Sequence, residues 1–173
     1  MSRAYRVSWV TVSSTVTSKE TLSMKLSLLG ILPEDDMLEL LRAELEKDGW
    51  KDCDGTLSAK IKGDLKAELS KDGKEVVVSS EVTQKVQTTA VSQNEAQSQL
   101  KQAEVQVQER LAGQATAALT AAEPDVRARL GEVIQRVYVE ALKRKAAQLG
   151  QVTGMQETTL PNGEREVTIK VRT

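Results

Sequence analysis

The sequence predicts an α+β protein, and three observations carry that expectation. Both ends alternate apolar and polar residues, as half-buried strands do. Two stretches in between repeat apolar residues every three or four positions, as helices do. Gly-containing turns separate these blocks. The expected order is ββ-α-βββ-αα-ββ, one α+β domain over residues 1–173. It comprises a small antiparallel sheet with one packed helix, a long antiparallel helical hairpin projecting over 92–149, and a C-terminal β-hairpin.

Tyr5, Val7 and Trp9 share one parity, whereas Val10, Val12 and Val16 share the other, which predicts a bulge near Trp9-Val10. A turn is expected at Lys19-Glu20, before a second strand that alternates through Leu22, Met24, Leu26 and Leu28. Pro33 then opens a helix, with Glu34, Asp35 and Asp36 in the turn that favours negative charge. Met37, Leu38, Leu40, Leu41 and Leu45 form its apolar stripe, and Asp48-Gly49 stops it.

From Trp50 the alternation returns through Leu57, Ala59 and Ile61, then Leu65, Ala67 and Leu69, separated by Gly63-Asp64. Asp72-Gly73 marks a tight hairpin, because such loops need positive φ. The strand that follows carries Val76, Val78, Val82 and Val86 on one parity.

Composition then shifts, with nine glutamines between Gln84 and Gln114. Leu100, Ala103, Val107, Leu111, Ala115, Ala118 and Ala122 trace a narrow, alanine-rich face. A helix over 95–122 would be roughly 40 Å long, and so thin a stripe requires something to dock on. Glu123-Pro124-Asp125 predicts a break, followed by a helix carrying Val126, Leu130, Val133, Ile134, Val137, Tyr138, Ala141 and Leu142. Pro161-Asn162-Gly163-Glu164 turns the final hairpin, whose second strand carries Val167, Ile169 and Val171.

Absences narrow the function. The 173 residues contain no His, no Phe and one cysteine, Cys53. Ser-His-Asp and Cys-His nucleophile systems, His-ligated zinc and imidazole acid/base chemistry all need residues that are missing. Net charge is -1, so phosphate backbones have no electrostatic handle, and four aromatics offer little base stacking. No apolar run reaches the roughly 20 residues of a membrane helix, and Met1–Val7 lacks a secretory apolar core. One thiol and no leader predict a cytoplasmic protein with neither membrane nor nucleic-acid partners.

The remaining chemistry-bearing clusters have simpler readings. Asp52-Cys53-Asp54-Gly55 resembles a calcium loop only faintly and reads as a polar turn. Glu34, Asp35, Asp36 and Glu39 read as a helix start, and Lys143, Arg144 and Lys145 as a helix end. Gly63, Gly73 and Gly113 are isolated, so no phosphate loop is present. The expected catalytic, cofactor and metal residues are therefore none. The expected partner interface is the Gln/Ala helix face at Leu100, Ala103, Val107, Leu111 and Ala115, docked either within the chain against Val126, Ile134 and Tyr138 or onto another protein.

The opening Met1-Ser-Arg-Ala-Tyr-Arg-Val7, the strand Leu22–Leu28 and the run Ile31–Leu41 resemble small bacterial domains of the FtsH ternary system group. The closing Ala141–Thr153 with its hairpin resembles the same group, and is similar as well to an uncharacterised plastid and cyanobacterial family. The resemblance covers about 70 residues at the two ends and carries no catalytic motif. It implies an accessory component encoded beside AAA+ ATPases in bacterial systems of biological conflict. The expected function is thus a non-enzymatic adaptor or assembly subunit whose protein partner is a AAA+ ATPase or another subunit of that system. The alternative is a homo-oligomeric structural protein packed through its Gln/Ala-rich helices.

Overall fold

A computed structural model describes residues 8–161 and 165–172. The elements run β1 (Val10–Lys25), α1 (Glu34–Lys47), β2 (Lys51–Cys53), β3 (Thr56–Lys60), β4 (Leu65–Leu69), β5 (Glu75–Ala90), α2 (Gln93–Leu149), β6 (Gln151–Thr159) and β7 (Arg165–Arg172). The protein is α+β, with a five-stranded antiparallel sheet ordered β1-β5-β4-β3-β2 and a separate β6-β7 hairpin.

Two expected elements are replaced, and two assignments are corrected: Asp52 and Cys53, expected in a polar turn, belong to strand β2, and Leu26 and Leu28, expected in a strand, lie beyond its end at Lys25. The first hairpin is one 16-residue strand, β1, with no turn at Lys19-Glu20. Its even-numbered residues face inward throughout, from Val10 to Met24. Ser14, Ser18 and Glu20 occupy some of those inward places, and these polar residues imitate a turn by breaking the apolar alternation. Because the even parity already holds at Val10, a bulge would have to precede it, and Tyr5 and Val7 lie outside the described residues.

The helical hairpin is likewise replaced by one continuous helix, α2, with Pro124 inside it. A proline in a helix interior costs about 3 kcal/mol. The buried face nevertheless runs through it unbroken: Leu111, Ala115, Leu119, Ala122, Val126, Leu130, Val133, Val137 and Ala141 are all buried at spacings of three or four. Continuity of that face outweighs the single missing N–H. Ser92 caps the helix start, its Oγ accepting from the Glu95 N–H at 3.3 Å.

The local turns follow the expected chemistry. Pro33 is the N-cap of α1, and Glu34, Asp35 and Asp36 fill its first turn. Asp54 (φ 55°) and Gly55 (φ 81°) form the two-residue loop between β2 and β3, in which Cys53 pairs with Thr56. Gly73 (φ 68°) turns β4 into β5, and a Cβ there would collide with Leu38 Cδ1. β6 and β7 pair from Gln151–Arg172 to Thr159–Arg165, with an irregularity between Val152 and Gly154.

The chain divides into two compact units, and β1, β5 and α2 each contribute to both. Unit 1 gathers the chain up to Leu22, Lys60–Lys66 and Val78–Glu123. Its core cluster is Val16, Val86 and Leu111, with Val82, Leu100, Ala103 and Val107 packed around them. On the opposite face, the Thr11 and Thr89 hydroxyls share a hydrogen bond, as do those of Thr17 and Thr83, each at 3.0 Å. Unit 2 holds Ser23–Ala59, Ala67–Val77 and the chain from Pro124. Leu40, Leu41, Leu45, Leu57, Leu69, Val76, Val133 and Val137 are almost wholly buried there.

Candidate functional site

The Gln/Ala face already has an occupant. Leu100, Ala103, Val107 and Leu111 pack against Val16, Val82 and Val86, which project from the inward parity of β1 and β5. Leu111 and Ala115 are buried. Within the chain this face packs onto strands of the sheet and not onto Val126, Ile134 and Tyr138. On the other side of the helix Val105 is 60% exposed among glutamines.

Unit 2 presents a different apolar surface. Residues 26–32 belong to no strand or helix, so their backbone groups need other partners. The Leu26 N–H donates to Lys74 O at 2.7 Å. Tyr138 of α2 brackets the segment, its hydroxyl donating to Ser27 O and accepting from the Leu29 N–H, both at 3.2 Å. Lys145 Nζ donates to Ile31 O at 2.9 Å. This tether leaves Leu29 61% exposed between two hollows. One, of about 540 Å³, is lined by Leu26, Leu28, Leu32, Met37 and Leu38 among others. The second, of about 550 Å³, is lined by Ile31, Tyr138, Val139, Leu142 and Val167, and Leu29 borders both. Apolar hollows flanking an exposed leucine suit the side chains of a protein partner.

The titratable clusters are occupied in holding the fold. Glu44 is buried on α1 and accepts from Lys47 Nζ and from Arg136 Nε, the latter at 3.1 Å. Arg136 also reaches Asp48 Oδ1 at 2.7 Å. The Lys47 hydrogen bond, with Arg136 behind it, holds the Glu44 carboxyl below its ordinary value against the opposing effect of burial. A carboxylate so stabilised is a poor proton acceptor near neutral pH. Glu34 pairs with Lys74 at 2.8 Å, and this raises the Lys74 pKa.

The basic run is spent in the same way. Lys143 lies 3.8 Å from Glu140, Arg144 lies 3.8 Å from Glu39, and Lys145 holds Ile31. Asp52 accepts from the Gly55 N–H at 2.8 Å, as a turn residue does. Cys53 is exposed, with Ser58 Oγ 3.9 Å from its sulfur. Among the described residues, no group of three or more His, Cys, Asp or Glu is placed to hold a metal. Nor, among them, is any helix long and apolar enough to cross a membrane.

Sequence reasoning passed over Leu29 and its tether, since Tyr138 and Lys145 lie more than 100 positions away from the backbone groups they hold. Leu26 to Leu32 holds four leucines and an isoleucine around Gly30, but Leu26 and Leu28 continue the alternation of Leu22 and Met24 and so read as strand. Among known protein families, the model for FtsH ternary system domain X5 matches residues 1–173. No curated protein and no solved structure matches. The match extends over the Gln-rich middle, which the resemblance at the two ends left out.

Proposed function

The chain belongs to the FtsH ternary system domain X5 family, and from that membership we propose that it is a non-enzymatic, cytoplasmic adaptor or assembly subunit working with a AAA+ ATPase in a bacterial conflict system. The whole-length family match is the observation that carries this reading. Its support in the geometry is the Leu29 surface, where an exposed apolar residue sits between two hollows of partner-side-chain size. The charged residues add to it, since Glu34 pairs with Lys74, Glu39 with Arg144, and Glu44 with Lys47 and Arg136.

Co-expression of the full chain with the ATPase of its own system, followed by gel filtration, tests the proposal. The expected outcome is co-elution, weakened at least tenfold by Leu29→Glu. That substitution is at an exposed position and should alter stability by no more than about 0.5 kcal/mol. A chain that elutes apart from every component of the system would overturn the reading.

A further inference from the structure

We infer that β1 is the contact between two copies of this chain, which pair antiparallel through its outer edge with Thr17 at the two-fold axis. β1 ends the sheet order. It is 16 residues long, contains neither Gly nor Pro, and keeps a single inward parity along its length. Long regular edges of this kind offer unpaired N–H and C=O groups to another strand. Unit 1 also has room for more sheet. β4, with five residues, can pair only part of the 16-residue β5, so β1 and β5 continue as a two-stranded ribbon under α2. Packing on α2 already stabilises this ribbon, and a third strand would add to it.

The side chains select the occupant and the register. In an antiparallel pair related by a two-fold axis, residue i faces residue j of the other copy with i + j constant. Centred on Thr17, Val12 faces Leu22, Val16 faces Ser18 and Ser14 faces Glu20 on the inward parity. On the outward parity Ser13 faces Thr21, Thr15 faces Lys19, and Thr17 faces itself. Apolar residues meet apolar or small ones, and Lys19 and Glu20 each meet a hydroxyl that can hydrogen-bond to them. Moving the centre to Thr15, Val16 or Ser18 sets Glu20 opposite Val10, Val12 or Val16. Moving it to Lys19 sets lysine against lysine. Of the registers that pair more than ten residues of each β1, centring on Thr17 alone keeps Glu20 off a valine and like charges apart, and this self-complementarity points to a second copy as the partner. Each copy keeps its own α2 on the inward face, since paired residues share a face.

This inference stands apart from the accessory reading, because a dimer that captures no ATPase would overturn that reading alone. Light scattering on the full chain should give twice 18.9 kDa, and Thr17→Lys should return it to the protomer mass. Exposed Cys53 is first replaced by Ser. In that background Thr17→Cys should form a disulfide-linked dimer under mild oxidation, because facing residues of a pair lie within disulfide reach. Ser13→Cys with Thr21→Cys should cross-link as well, whereas Thr21→Cys alone should not. The cross-link holds as a test even if Thr17→Lys misfolds. A monomer at all concentrations, or a dimer that fails to cross-link through Thr17, would overturn the proposal.

Discussion

One helix serves two cores of unequal quality. Over Gln93–Glu123 in unit 1, α2 offers Ala96, Leu111, Ala115, Leu119 and Ala122 as buried residues, and the strands beneath supply Val16 and Val86. From Pro124 onward in unit 2, it meets a core of Leu40, Leu41, Leu45, Leu57 and Leu69. Alanine buries far less apolar area than leucine, and at about 25 cal/mol per Å² the difference accumulates along the stripe. The polar links differ too: Arg110 reaches Gln84 from an exposed position in unit 1, whereas Arg136 in unit 2 reaches buried Glu44. Helical periodicity is the same in both halves, so periodicity reports where a face is and not how much it stabilises.

The largest effect should come from cutting into each core. Leu45→Ala removes a fully buried side chain from the leucine-rich unit and should cost about 4 kcal/mol. Leu111→Ala, among half-buried neighbours that can relax, should cost about 2 kcal/mol. Urea unfolding of the two variants measures both, and equal costs would erase the distinction. Amide exchange sharpens it: residues 126–146 should exchange more slowly than residues 96–115 of the same helix.

An intermediate effect tests the polar links. Arg136→Ala leaves buried Glu44 with Lys47 alone and frees Asp48, at a cost of about 2 kcal/mol. Arg110→Ala breaks only the exposed bond to Gln84 and should change stability by less than about 0.5 kcal/mol. Equal losses in thermal unfolding would show that burial is not what separates the two arginines.

The same contrast explains what could be read from the sequence. α1 was legible because its signals are local and redundant: Pro33, three acids, a leucine stripe and a glycine stop. The Asp72-Gly73 hairpin was legible for the same reason, and the alternation of Val167, Ile169 and Val171 marked the C-terminal one, whose expected turn residues Asn162, Gly163 and Glu164 lie outside the described residues. β1 was misread because Ser18 and Glu20 sit on the inward parity, where only the cross-strand partner reveals them as strand residues. α2 was split at Pro124 because a local breaker was weighed without the stripe that continues across it. The face from Leu100 to Leu111 packs on the sheet. Its complement, Val16 and Val86, lies in strands distant along the chain, so periodicity could not supply it.

The smallest predicted effect concerns acid, and it touches only the stronger unit. Glu44 has an ordinary carboxyl pKa of about 4.5, lowered in the fold chiefly by the Lys47 hydrogen bond and then by Arg136. The unfolded chain therefore takes up this proton at a higher pH than the folded one, and stability rises with pH across that interval. The contribution is fully present above about pH 4.5. It fades as the pH falls through the lower folded value. Thermal unfolding followed from pH 7 to pH 3 should show this loss. Glu44→Gln should lower stability at pH 7 and flatten the curve below pH 4.5, since an amide keeps an acceptor oxygen but has no proton to gain. An unchanged acid limb in Glu44→Gln would move the origin of the pH dependence elsewhere. In that case the buried Arg136–Glu44 pair would no longer distinguish the leucine-rich unit from the Gln/Ala-rich one.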